Sequence, residues 1–288
     1  MKKIKIFTDS AADLSPELLA SWDVGSIALN FRFVGNDTLY SDNDMSSAEF
    51  YAEMRAGKVA KTSAVNTESF AAAFEEELKA GNDVLYVGFS SGLSNTFNAG
   101  RLATLELADR YPDQKILAVD TLCASAGQGM MVRIACDRRD AGDSIEEIAS
   151  ALEAIKLRLA HWFTVDDLEY LKRGGRVSPA VAFVGNMLGI KPVLHVDNDG
   201  HLIKRDTVRG RKKAIAALAA KMEELGADVE NYPIYISHAD CLGEAEFLAK
   251  MIKDKFGKDV EIITNVGTVI GAHAGPGTLA LFFIANER

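Results

Sequence analysis

The sequence predicts an α/β protein in two parts. An N-terminal domain on a parallel sheet spans residues 1–160, and a C-terminal α+β domain with a mixed sheet spans 161–288. Two nearly continuous apolar runs, Asp83–Phe89 (DVLYVGF) and Lys115–Asp120 (KILAVD), have the composition of strands buried on both faces. These runs alternate with stretches of helical period, the rhythm of parallel strands joined by crossover helices. After His161 the rhythm changes. IKPVLHV, then Asp197-Asn198-Asp199-Gly200, then HLIKRDTV reads as a hairpin closed by a D-G turn.

Taken in order, Ile4–Thr8 (IKIFT) reads as a strand. A helix then starts with Ser15 as N-cap and Pro16 at the first helical position. Val24–Val34 reads as one strand ending in the Gly35-Asn36-Asp37 turn. Ser46–Gly57 fits a short helix. Thr67–Gly81 fits a longer one, with Phe70, Phe74 and Leu78 four apart on one face. Further helices are expected at about 94–110, 124–139 and 144–159. Beyond the hairpin come a helix over 210–225, a strand at 234–237, a helix over 243–256, a strand at 260–264 and a last apolar run at 279–284.

Composition narrows the function. The chain has 288 residues, 48% apolar and 25% charged, so it is an ordinary globular chain. At this length roughly 70–75% of the unfolded surface can be buried. The formal charge of −9 disfavours nucleic acid and anionic membranes as partners. The cysteines, Cys123, Cys136 and Cys241, show no C-x-x-C spacing, which argues against a disulfide framework or a zinc site. None of the five histidines has metal-ligand spacing, so no metal is expected. The opening MKKIKIF meets Asp9 before any signal-peptide core forms. No run of 18 apolar residues exists, so no transmembrane segment is expected, and the expected compartment is the cytoplasm.

Four polar, glycine-containing segments stand beside the expected strand ends and helix starts. They are FTDSAAD (7–13), KTSAVN (61–66), GFSSGLSNTFNAG (88–100) and VIGAHAGPG (269–277). Ligands of parallel sheets bind at the carboxyl ends of the strands, so Asp9, Ser10, Ser90, Ser91, Ser94 and Thr96 are expected at one mouth. The hydroxyls of segment 90–96 have two readings. They cradle an anion at a helix N-terminus, or Ser94 or its neighbour is simply an N-cap. A hydrolase reading also exists: Gly88-Phe89-Ser90-Ser91-Gly92 fits G-x-S-x-G after a strand, with Asp240 and His273 following in triad order. Against it, Gly92-Leu93 separate Ser90 from the helix. Asp9 as a phosphotransferase nucleophile would want a second aspartate at position 11, which is Ala11. His273 lies in a glycine-rich run, either touching a ligand or bonded to nearby backbone. Cations cluster in LKRGGRV (171–177) and KRDTVRGRKK (204–213). They are either solvated loop charges or a dock for an acidic or phosphorylated group.

These segments, in this order, resemble the DegV family, also known as FakB fatty-acid-binding proteins. The resemblance runs the full length through FTDSAADL, KTS (61–63), SSGLSNT (90–96), VDTLCASAGQG (119–129), DDLEYLKRGGRVS (166–178), GIKPVL (189–194), VRGRKKA (208–214) and GTVIGAHAGPGT (267–278). It implies a two-domain fold with a long-chain fatty acid such as palmitate held between the domains, and no cofactor. It implies that Thr62 and Ser94 bind the carboxylate, with Ser63, Ser91 and His273 nearby. It further implies a non-catalytic carrier whose partner, an ATP-dependent fatty-acid kinase, converts the bound carboxylate to acyl phosphate. The loops near Arg173 and Arg209 resemble the surface that meets this kinase. The chain departs from the family's T-S-Q-P at Ala64-Val65 and from its S-G-T at Asn95, and both hydroxyl positions survive.

Overall fold

A computed structural model of the chain describes residues 2–42, 44–179 and 189–288. The N-terminal sheet is fully parallel, in the order β2 (Val24–Ile27), β1 (Ile4–Asp9), β6 (Asp83–Gly88), β7 (Ile116–Asp120). Every residue of β6 is buried, as its unbroken apolar run requires. Asp9 ties strand ends together: its carboxylate accepts from the Tyr86 hydroxyl at 2.7 Å and from Phe89 N–H at 3.0 Å. Helix Thr67–Lys79 lays Phe70, Phe74 and Leu78 into this core, and its N-cap Asn66 accepts from Ser69 N–H at 2.8 Å.

The stretch 24–34 is two strands, not one. After Ile27 the chain leaves the parallel sheet, and Leu29 N–H donates to Ser10 Oγ at 3.0 Å. Strand β3 (Asn30–Phe33) then pairs antiparallel with β4 (Tyr40–Ser41) and β5 (Ala60–Ser63) in a separate three-stranded sheet. Phe31, Phe33, Phe50, Tyr51 and Met54 of this unit pack on Ala239, Val266 and Ala272 from the far end of the chain. The Tyr51 hydroxyl donates to Val266 C=O at 2.8 Å. The small sheet is thereby clamped against the C-terminal half.

The C-terminal sheet is mixed. Its order is β10 (Leu202–Arg209), β9 (Ile190–Val196), β8 (Leu159–Thr164), β13 (Leu279–Ile284), β11 (Tyr235–His238), β12 (Ile262–Asn265). The β11–β12 pair is parallel and the others antiparallel. The D-G turn forms as expected: Gly200 takes φ +79°, and Asp197 Oδ1 accepts from Asp199 and His201 N–H at 3.0 and 2.8 Å. The helix expected to 159 ends early, at Ile155, and a 3-10 turn over Lys156–Arg158 leads into strand β8, LAHWFT, which is fully buried. A short apolar run carries no period that separates a buried helix from a buried strand. No helix among the described residues is long and apolar enough to cross a membrane.

Candidate functional site

A cavity of about 410 Å³ lies where the three sheets meet. Its floor is one face of the C-terminal sheet. Phe163 of β8 stands opposite Ala280 of β13, and His161 opposite Phe282, and all four line the space. Leu29, Phe89, Leu93 and Val269 close it with further apolar surface. A polar corner interrupts that surface.

Two distant segments build the corner. Thr62 sits on β5, opposite Phe31 of β3. His273 sits on helix Thr268–Ala274, whose first N–H groups, Thr268 and Val269, donate to Asp42 Oδ1 at 3.0 and 3.3 Å. The two side chains meet: Thr62 Oγ1 is 2.8 Å from His273 Nε2. The other ring nitrogen, Nδ1, is buried with no hydrogen-bond partner among the described residues. It presses on Gly174, where a Cβ would lie only 2.2 Å away, so the approach requires glycine. Burial, followed by the Arg176 charge, pushes the imidazole down to about 4 and keeps it neutral. A proton on Nδ1 would be a buried donor without an acceptor, so it belongs on Nε2. Nε2–H therefore donates to Thr62 Oγ1, and the threonine hydroxyl proton is free for a ligand.

Ser94 lines the same cavity. Its Oγ lies 2.9 Å from Thr96 Oγ1 and accepts from Thr96 N–H at 3.2 Å. The cap position of helix Thr96–Arg110 falls on Asn95, which makes no side-chain cap bond, so Ser94 is not the N-cap. Arg176 completes the corner. Its Nε and Nη2 donate to Leu93 C=O at 3.1 and 2.9 Å, and among the described residues no carboxylate pairs with it. A half-buried guanidinium without a counter-ion favours an anion beside it. The sequence shows Arg176 only as one cation of a cluster; its place beside His273 depends on the Gly174-Gly175 turn.

Other candidates fall elsewhere. Ser63 and Ser91 are exposed and do not line the cavity. Asp9 and Thr96 are buried in the framework, and Ser10 serves Leu29, so one shared mouth does not form. Ser90 is fully buried: its hydroxyl donates to Gly200 C=O at 3.0 Å, and its Oγ accepts from Gly92 N–H at 3.2 Å. Asp240 pairs with Arg55 at 2.9 Å, while His273 pairs with Thr62. The Ser90–Asp240–His273 triad is therefore absent. Arg173 is exposed at the cavity rim, its guanidinium over the Tyr170 ring at 5.5 Å. Arg209 is exposed at the end of β10, away from the cavity. Of the departures from the family pattern, Ala64 lines the cavity and Val65 is buried, adding apolar surface, while Asn95 adds a polar side chain to the lining.

Burial holds His195 neutral as well, pushed down to about 4, with its ring stacked on Trp162. An unfolded imidazole takes up a proton near pH 6.5 and this one does not. Its stabilising contribution is complete above that pH and is lost as pH falls toward 4. Buried Asp9 and Asp13 act with the opposite sign, because burial raises both. The comparison of parent with His195→Gln isolates the histidine. The stability lost in the variant should be larger at pH 7 than at pH 4.5 in urea unfolding; an equal loss at both would contradict neutral burial.

A family model described as an uncharacterised protein of the DegV family matches residues 3–286. A DegV domain-containing protein of Clostridium perfringens is 42% identical, over 100% of this chain and 99% of its own. Among solved structures, a Thermotoga maritima protein described as revealing a fatty-acid-binding function is 30% identical. It superposes at TM-score 0.84 over 99% of this chain and 100% of its own. A stearic-acid-binding protein of Eubacterium ventriosum is 26% identical, with TM-score 0.88 over 98% of both chains.

Proposed function

Because the chain belongs to the DegV family, we propose that it binds one long-chain fatty acid, tail in the cavity and carboxylate at the corner of Thr62, Ser94 and His273. One observation carries the reading: a mostly apolar cavity has a corner where the Thr62 hydroxyl, His273 and a guanidinium with no carboxylate partner among the described residues come together. Burying an acyl tail is worth about 0.8 kcal/mol per methylene, which supplies affinity. The head then needs donors, because a carboxylate buried without them is costly. The Thr62 hydroxyl, freed by His273, is one such donor, and the Ser94 hydroxyl is a second. Arg176 supplies charge without a tight ion pair, its N–H groups being committed to the Leu93 and Gly174 carbonyls.

The protein acts in the cytoplasm as a carrier and needs no cofactor or metal of its own. Its partner is an ATP-dependent fatty-acid kinase. A carboxylate oxygen attacks the γ-phosphorus, the bond to ADP breaks, and acyl phosphate forms at the rim. Arg173 and Arg209 meet the kinase or the moving phosphoryl group, and Ser63 and Ser91 flank this rim outside the cavity. Titration with palmitate, run beside fluorophosphonate labelling, tests the carrier reading. Saturable one-to-one binding with Ser90 unlabelled is expected. Stoichiometric labelling of Ser90, or no palmitate binding, would contradict it.

A further inference from the structure

The cavity carries a second polar group, remote in its bonding from the corner of Thr62 and His273. On the floor, Ser237 of β11 stands opposite Ala280, which stands opposite Phe163. Ser237 is fully buried and lines the cavity. Ser125, just before helix Ala126–Asp140, also lines it. The two Oγ atoms are 3.0 Å apart, and Ser125 Oγ also bonds the Asp13 carboxyl.

Ser125 holds an unusual backbone, φ 54° and ψ −146°. That region suits glycine, and another residue there persists only when its surroundings over-determine it. They do: Ser125 N–H donates to Ala11 C=O at 2.8 Å, and Asp13 fixes the side chain. A glycine would relieve the strain, whereas the serine brings a hydroxyl to the cavity wall.

The protons of this chain can be counted. Asp13 Oδ1 accepts from Gly267 N–H at 2.9 Å, and burial raises its carboxyl well above the usual range. With Asp13 neutral, its proton goes to Ser125 and the Ser125 proton to Ser237. The Ser237 proton then has no acceptor among the described residues. With Asp13 ionised, the bonds run the other way and the Ser237 lone pairs are what remain free. In both cases Ser237 keeps an unused hydrogen-bonding function at an apolar wall, and a hydroxyl, donor and acceptor at once, suits either state.

We propose that Ser237, set by Ser125 and Asp13, selects fatty acids whose tail carries an oxygen substituent, a hydroxyl first of all. The proposal rests on the fatty-acid reading and names the ligand class more narrowly. The test is a titration of the full chain with stearate and with stearates hydroxylated singly at successive positions. One position is expected to bind about tenfold tighter than stearate, the worth of one good hydrogen bond. Ser237→Ala should remove that preference. So should Ser125→Gly, which relieves the backbone and so guards against a folding artefact. If stearate binds and no hydroxylated acid binds tighter, or if the preference survives both substitutions, the proposal is overturned and the fatty-acid reading stands. If no member of the series binds, both fall.

Discussion

Thr62→Ala should weaken palmitate binding by roughly 1–3 kcal/mol, the loss expected when a buried carboxylate is deprived of a donor. The substitution also leaves His273 Nε2–H without its 2.8 Å partner, so the imidazole loses its orientation. Ser94→Ala should cost less, because Ser94 Oγ already shares its capacity with Thr96. Gly174→Val approaches the same corner from behind. Its Cβ would fall 2.2 Å from His273 Nδ1, so the ring must move and affinity should drop at least as far as in Thr62→Ala. Isothermal titration on each variant, with circular dichroism as a check on folding, measures this. Parent-like affinity in both Thr62→Ala and Gly174→Val would remove the carboxylate from this corner.

Charge reversal at the rim should act on transfer more than on binding. Arg209→Glu lies outside the cavity, so it should lower acyl-phosphate production at limiting kinase by tenfold or more while palmitate affinity stays at the parent value. The loss should shrink as salt is raised, since screening weakens an exposed charge contact. Arg173→Glu should abolish production. It should also cost some affinity, because Arg173 lines the cavity beside the corner proposed for the carboxylate. Unchanged turnover in both variants would return these arginines to solvated loop charges.

Strand β6 is legible in the sequence because burial on both faces leaves the run VLYVG with no polar interruption. KILAVD reads the same way, yet β7 lies at the sheet edge and of its residues only Val119 is buried. Strand β5 is not legible. AKTS has no apolar run, and its pairing with Asn30–Phe33 is decided by the aromatic cluster that clamps both to the C-terminal half. Resemblance to the family points to Thr62 and His273 separately. Their contact spans 211 positions, and only the folded chain shows that one fixes the proton of the other. The G-x-S-x-G at Ser90 misleads for a physical reason: the hairpin turn at Gly200 covers that serine and takes its proton. Ser237 gives no signal in sequence, since a lone serine in a strand is unremarkable until register sets it on a cavity floor.

Native mass spectrometry of the full chain purified from cells, with organic extraction of the same sample, tests the central claim most directly. A single species heavier than the polypeptide by the mass of one long-chain fatty acid is expected, with that acid recovered at one-to-one stoichiometry and displaced by added palmitate. Protein at its bare polypeptide mass that also fails to take up any fatty acid would contradict it.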